Sequence, residues 1–203
     1  MKKPKLRELW EAIKALVKGP YTSKFPKVLT VPPKGFKGRP KYNPDDCVGC
    51  GACAEVCPAR AIDVEDIVES KGKGIRRLTH HYDICIYCGQ CEKACITDKG
   101  IVLSDEYNMV LEDRSKALET AEKELVFCER CGEIVDAEDH IKWTVKKLGP
   151  LAFANPNALL VRHKELGLLP YSVGKEEGTL PRVDHLKVLC PKCRREAIFE
   201  EQW

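Results

Sequence analysis

The stretch Cys47-Val-Gly-Cys50-Gly-Ala-Cys53-Ala-Glu-Val-Cys57-Pro58 decides how this chain is read. Three cysteines fall at even three-residue steps, and a fourth follows one residue later than that rhythm, with proline directly behind it. Offset by 38 residues, Cys85-Ile-Tyr-Cys88-Gly-Gln-Cys91-Glu-Lys-Ala-Cys95 repeats the spacing. A fixed offset with identical internal spacing within one chain is an internal repeat, so each half is expected to be one unit: a short strand, a ligand loop and a helical turn. The rest of the 12 cysteines form two further pairs, Cys128-Glu-Arg-Cys131-Gly132 and Cys190-Pro-Lys-Cys193. None stands alone, and such sets suit metal ligation in a reducing compartment better than a disulfide framework.

Thiolates at the x2-x2 spacing converge on three corners of one iron–sulfur cube within a single tight loop, and the fourth, after x3, ligates the neighbouring cube. One [4Fe–4S] cluster is therefore expected on Cys47, Cys50, Cys53 and Cys95, and a second on Cys85, Cys88, Cys91 and Cys57. Gly49, Gly51 and Gly89 let the backbone close around a cube and aim N–H groups at its sulfurs. Two zinc knuckles are the competing reading, but zinc takes four ligands per site and has no need of the doubled run. The remaining four, Cys128, Cys131, Cys190 and Cys193, suit tetrahedral coordination of one zinc or one iron. Zinc comes first because a redox-inert metal suits a structural role, while the resemblance of these two pairs to rubredoxin leaves iron open.

The chain has 203 residues, 43% hydrophobic and 32% charged, enough for an ordinary core in one or two domains. Its apolar runs are far short of the ~18 residues that span a bilayer, and no signal-peptide core follows the first lysines, so neither an integral membrane protein nor a secreted one is expected. Charge is unevenly spread: residues 1–42 sum to +10 and the remainder to −7, for a total of +3. A basic arm before an acidic body suits an acidic partner, a nucleic acid or an anionic lipid surface. Residues 5–18 read as an amphipathic helix with Leu6, Leu9, Trp10, Ile13, Leu16 and Val17 on one stripe, ended by Gly19-Pro20. Residues 20–44 hold six prolines and read as an extended arm.

Ser104 reads as the N-cap of a helix reaching about Leu125, favoured by Asp105 and Glu106 in its first turn. A domain boundary is expected there, which divides the chain into a helix and docking arm (1–42), a cluster domain with a trailing helix (43–125) and a four-cysteine metal-knuckle domain (126–203). Helices are expected near 137–148 and 157–167. His80 and His81 precede the second cysteine loop, where hydrogen bonding could tune a cluster's potential, but a polar surface pair is the preferred reading; His140, His163 and His185 read as surface or capping residues. No nucleophile–base pair, phosphate loop or paired carboxylate stands out, so the chain alone does not read as a catalyst.

Residues 1 to about 125 resemble the two-cluster ferredoxin-like subunit shared by respiratory complex I and the energy-converting membrane-bound nickel–iron hydrogenases. The resemblance rests on the N-terminal helix, the arm ending Gly35-Phe36-Lys37-Gly38-Arg39-Pro40, both cysteine runs, Tyr82-Asp-Ile before the second run, and Ser104-Asp-Glu-Tyr107. It implies an α+β ferredoxin-like fold, electron relay between a peripheral donor module and subunits near the membrane, and an arm packed on the membrane-proximal subunits, on the cytoplasmic side. Ile96 departs from the family's proline after the fourth cysteine. Region 126–203 is absent from the complex I version, and its Cys-x2-Cys pairs are similar to formate hydrogenlyase-type iron–sulfur subunits. A zinc-ribbon or rubredoxin-like domain is the form that tail suggests. A freely diffusing ferredoxin has no use for a +10 arm. A nucleic-acid-binding zinc-ribbon protein with structural clusters would want aromatics interleaved in the arm at a motif spacing, so no nucleic acid is expected as partner.

Overall fold

The computed structural model describes residues 5–19, 22, 27–28, 30–70, 72–108, 110–168 and 187–199, with the backbone alone at Phe153. It divides into two compact units, 1–36 and 37–203. In the first, Leu6–Lys18 form α1, whose start is held by the Glu8 carboxylate accepting the Lys5 N–H at 3.1 Å. Gly19 closes it with a positive φ and donates to the Ala15 carbonyl, as a glycine C-terminus does. None of its residues is buried, and Leu6 (86% exposed), Trp10 (65%) and Leu16 (85%) display the apolar stripe. Among the described residues no helix is long and apolar enough to cross a membrane.

The second unit starts by correcting the extent of the arm. Residues 37–42 are built into the body: Pro40–Tyr42 form β1, antiparallel to β4 (Ile101–Leu103), with Pro40 opposite Leu103 and Tyr42 opposite Ile101. Gly38 and Arg39 extend the pairing through the Ser104 and Glu106 carbonyls. A Cβ on Gly38 would lie 2.3 Å from the Ser104 oxygen and 2.5 Å from that of Glu106, so only glycine permits this approach. The first cysteine loop leads into α2 (Ala52–Glu55), then the hairpin β2 (Ile62–Ser70) and β3 (Lys73–His81), then the second loop and α3 (Gln90–Lys93). The strand before the second loop is thus nine residues long, not short.

No helix runs from Ser104 to Leu125. The Ser104 hydroxyl donates to the Arg39 carbonyl and accepts the Glu106 N–H, capping a turn. A 3₁₀ turn at Arg114–Lys116 follows, and then β5 (Leu118–Phe127). β5 joins β3 and β6 (Ile134–Ala137) in a four-stranded antiparallel sheet of order β2-β3-β5-β6. Residues 119, 121, 123 and 125 turn inward while 118, 120, 122 and 124 face out, the period of two that a half-buried strand requires. Residue 125 lies within this strand, opposite Ala137, and the compact unit continues across it.

Beyond β6 two helices stand near their expected places, α4 (Glu138–Leu148) and α5 (Pro156–Glu165), the latter capped by the Asn155 side chain, while a 3₁₀ segment (Gly149–Ala154) and α6 (Pro191–Phe199) were not expected. Tyr42, Ile62, Leu78, Ile101 and Ala121 pack with Cys47, Cys53 and Cys91 in one core, and Val126, Leu160, Val161 and Val188 form another beside α5. Leu78 sits at the centre of the first, 1% exposed and opposite Ala121. Leu78→Ala should cost about 2–5 kcal/mol, seen as an earlier thermal loss of far-UV circular dichroism, whereas Val64→Ala on the exposed hairpin should leave the transition within error.

Candidate metal centres

The two cysteine runs line two recesses and exchange their last members. One recess is walled by Cys47, Cys50, Cys53 and Cys95 with Tyr42, Leu78 and Ile101. The other is walled by Cys57, Cys85, Cys88 and Cys91 with Pro40, Ile62 and His80. Short helices explain the exchange. α2 and α3 each begin at a glycine in the left-handed region, Gly51 and Gly89, and carry the third cysteine in their first turn. The chain then turns again at Arg60 and Asp98, both at positive φ and both donating back to the carbonyl of the fourth cysteine.

The backbone obeys the repeat even where the residue types do not. Gly49 has φ +71°, and its counterpart is Tyr87 at +53°, a conformation uncommon outside glycine. Tyr87 is pinned there by its hydroxyl, which donates to the Tyr82 carbonyl at 3.1 Å, while its N–H points at Cys85 Sγ at 3.4 Å. Other donors also converge on sulfur: the Ala61 N–H lies 3.2 Å from Cys57 Sγ, and the Tyr42 hydroxyl 3.9 Å from Cys53 Sγ. Behind Cys95, where Ile96 replaces proline, Thr97 organises the turn. Its Oγ1 accepts the Gly100 N–H at 3.1 Å and stands 3.3 Å from Cys95 Sγ. Burial pushes the Cys95 thiol up, but Thr97 and the N–H groups of Thr97, Ile101 and Gly100 outweigh it and bring it below its ordinary value.

Two cations clamp the first loop. Arg76 donates to the Gly49 carbonyl at 3.2 Å while pairing with Asp66 and Asp136. Lys123 donates to the Pro44 carbonyl and to Asp139, and its stem lies 3.1 Å from where a Cβ on Gly49 would stand. At the second loop Lys37 donates to the Cys88 carbonyl at 3.0 Å. The residue types fit an iron–sulfur group. Burial pushes the Cys53 thiol up to about 12 and that of Cys91 to about 11, so a nearby metal cation would offset the desolvation of these two as thiolates.

His80 corrects the expected surface pair. Alternation along β3 turns Leu78 and His80 inward, and His80 is 1% exposed on the wall of the second recess. Burial, then the neighbouring His81, pushes its pKa down to about 4, so the ring is neutral near pH 7. His81 faces out, its Nε2 2.9 Å from Asp63. His140 pairs with Asp136 at 2.7 Å on α4, and His185 lies outside the described residues.

The last four cysteines come together too. Sγ atoms of Cys128, Cys131, Cys190 and Cys193 all lie within 4.8 Å of one another. A tetrahedron with metal–sulfur bonds of ~2.3 Å has edges of ~3.8 Å, and Cys131 Sγ is 3.7 Å from Cys190 Sγ. The first pair sits on the β5–β6 turn, which Cys128 and Glu133 close at 2.7 Å; the second opens α6. Two side chains that sequence patterns did not reveal bind the halves. Glu129 accepts the Val188 N–H at 3.0 Å and pairs with Lys164. Asn157 brackets Leu189, accepting its N–H and donating to its carbonyl. Burial raises the Cys128 thiol, yet the N–H groups of Cys131, Cys190 and Arg130 prevail and lower it, while burial drives Cys190 up. Four sulfurs this close ionise together only around a cation.

Residues 46–99 match the 4Fe-4S dicluster domain family. Among curated proteins, it is similar to NAD(P)H-quinone oxidoreductase subunit I of Gloeobacter violaceus, 30% identical over 47% of this chain and 46% of that protein. Formate hydrogenlyase subunit 6 of Escherichia coli is 43% identical over 26% of this chain and 30% of that protein. The chain therefore spans less than half the length of these relatives. A chain of the membrane-bound sulfane sulfur reductase, described as an archaeal respiratory membrane complex, aligns at 26% identity and TM-score 0.39, over 58% of this chain and 61% of that one.

The convergence of four sulfurs outside the family match generates its own test. Cys190→Ser should lower the metal content by about one ion per chain and open the segment beyond β5 to protease, while low-temperature EPR signals from the first eight cysteines persist. Full protease resistance with undiminished metal would show that these four do not share an ion.

Proposed function

We propose that the chain relays electrons through two [4Fe–4S] clusters as a subunit of a membrane-bound oxidoreductase, of the energy-converting nickel–iron hydrogenase kind. The observation that carries this is the exchange of Cys57 and Cys95 between the two recesses. It supports ligation by Cys47, Cys50, Cys53 and Cys95 at one site and by Cys85, Cys88, Cys91 and Cys57 at the other. When bound, a cubane supplies a one-electron couple whose potential depends on sulfur hydrogen bonds and exposure. The chain's own residues hold the sulfurs, exclude water with Tyr42, Leu78, Ile62 and Ile101, and aim N–H groups at them.

The relatives' names support the setting, a quinone oxidoreductase in one case and a formate hydrogenlyase in the other. Four cysteines beyond the cluster domain, together with the 43% identity to formate hydrogenlyase subunit 6, favour the hydrogenase branch over complex I. In this reading Cys128, Cys131, Cys190 and Cys193 hold one structural ion, zinc before iron, in a zinc-ribbon or rubredoxin-like knuckle outside the electron path. Residues 1–36, with the exposed stripe of α1 and most of the basic charge, dock the subunit on its partners at the cytoplasmic side of the membrane. A peripheral module delivers the electrons.

Iron analysis and EPR of the anaerobically purified, reduced chain should find about eight irons at these sites, as two cubanes. Cys57→Ser and Cys85→Ser should disturb one EPR signal, and Cys95→Ser and Cys50→Ser the other; Cys57→Ser grouping with Cys50→Ser would break the exchange. Deleting residues 1–36 should leave both signals intact and release the subunit from the membrane fraction. Unchanged retention would remove the docking role.

A further inference from the structure

The second recess has a wall that hydrogen bonding within the protein does not explain. His80 lines it at 1% exposure, and its Nδ1 is fully buried with no hydrogen-bond partner. The backbone is accounted for, since His80 lies opposite Ile62 on one side and Glu119 on the other. The ring meets Tyr82 edge-on, centroids 5.0 Å apart, which offers packing but no acceptor for Nδ1. A neutral imidazole carries one N–H and one lone pair, and buried polar atoms of this kind are paired in the great majority of proteins.

The repeat says what the partner is. His80 stands five residues before Cys85, as Tyr42 stands five before Cys47. Each ring lines the recess of the run it precedes, and the exchange extends to their neighbours: Leu78 walls the first recess and Pro40, its counterpart 38 residues back, walls the second. In the first recess the polar tip of the ring reaches a sulfur, the Tyr42 hydroxyl lying 3.9 Å from Cys53 Sγ. In the second, no described protein atom meets Nδ1. The same position in the same half-fold thus presents a polar ring to each group of four sulfurs, and only one of the two finds its acceptor on the protein.

We propose that His80 donates a neutral N–H hydrogen bond to a sulfur of the iron–sulfur group held by Cys57, Cys85, Cys88 and Cys91, and so raises the reduction potential of that site. The inference rests on the cluster reading above. Reduction adds one electron to the cluster and concentrates negative charge on its sulfurs, so a donor strengthens on reduction and favours the reduced state. The two sites differ in their walls: a hydroxyl aimed at a cysteine sulfur at one, an imidazole at the other. Because His80 sits on the central strand β3, its ring is held by the ladder on both sides and does not depend on a mobile loop for its aim.

The test uses the full chain, purified anaerobically with both clusters and labelled with [15N]histidine. Electron–nuclear double resonance of the reduced protein should show a 15N coupling and an exchangeable-proton coupling at one cluster, the one whose signal Cys57→Ser and Cys85→Ser disturb. Both couplings should persist in His81→Phe and vanish in His80→Phe. EPR-monitored titration should place that cluster at a lower potential in His80→Phe, with the other cluster unmoved, and His80→Gln, which keeps an N–H donor, should recover part of the shift. Two intact clusters without any 15N coupling in the unaltered chain, or an unmoved potential in folded His80→Phe, would overturn the proposal. If His80→Phe fails to assemble, the coupling in the unaltered and His81→Phe chains decides alone. Iron analysis showing no cubane would instead overturn the cluster reading, a separable failure.

Discussion

The exchange of the fourth cysteine between the two halves is the constraint on which the rest of the structure depends. Each loop is short enough to gather three sulfurs by itself, but Cys57 and Cys95 reach the opposite recess only if the halves stand in one fixed relation. That relation is set by non-local pairing: β1 before the first loop with β4 after the second, and β2 with β3 between the loops. Tyr82 and Glu119 knit the two sets together. The Tyr82 hydroxyl lies between the Pro40 carbonyl and the Glu119 carboxylate, and Glu119 also accepts the Tyr42 N–H. A rigid frame of this kind positions first-contact residues within the tolerance that a metal site demands.

The same sheet leads into the last four cysteines, so both groups of sulfurs share a scaffold. β5 contributes Ala121 to the core behind the first recess, and its last residues, Val126 and Phe127, lead straight to Cys128. Arg76 and Lys123 bridge the gap sideways, each holding a backbone carbonyl of the first loop and a carboxylate from beyond β5, Asp136 or Asp139. Both side chains are largely covered, at 16% and 12% exposure, where losing one partner costs more than the pair itself contributes. The tail is thereby a brace for the first loop as well as the carrier of four convergent cysteines.

Region 1–36 obeys a different logic. None of its helix residues is buried, and an exposed amphipathic helix gains most of its stability from what its apolar face packs against. Its positive charge contrasts with the acidic remainder of the chain, and the attraction that such sidedness provides toward an acidic partner falls with ionic strength over about 10 Å at 0.1 M salt. The body, by contrast, is held by buried pairing and packing that salt screens little.

Local spacing determined the clustering of sulfurs within each loop. Tight loops of three-residue steps have so little reach that the first three cysteines of each run share a recess, whereas the exchange of Cys57 and Cys95 and the meeting of Cys128 and Cys131 with Cys190 and Cys193 depend on pairing between distant parts of the chain. The strand at 118–127 was not legible in this way. Leu118, Ala121 and Leu125 recur at helical spacing amid good helix formers, whereas the inward face of the strand includes Glu119 and Lys123. Those two charges turn inward because their partners, the Tyr42 N–H, the Tyr82 hydroxyl, the Pro44 carbonyl and Asp139, arrive from other parts of the chain. His80 is the same case: alternation with Leu78 hints at its face, but only pairing of β3 between β2 and β5 buries it beside the second recess. The sequence by itself set the first three sulfurs of each loop side by side, since that depends on residues a few positions apart; the tertiary structure decided which loop meets which distant cysteine and where charged and polar side chains point, since both depend on partners far along the chain.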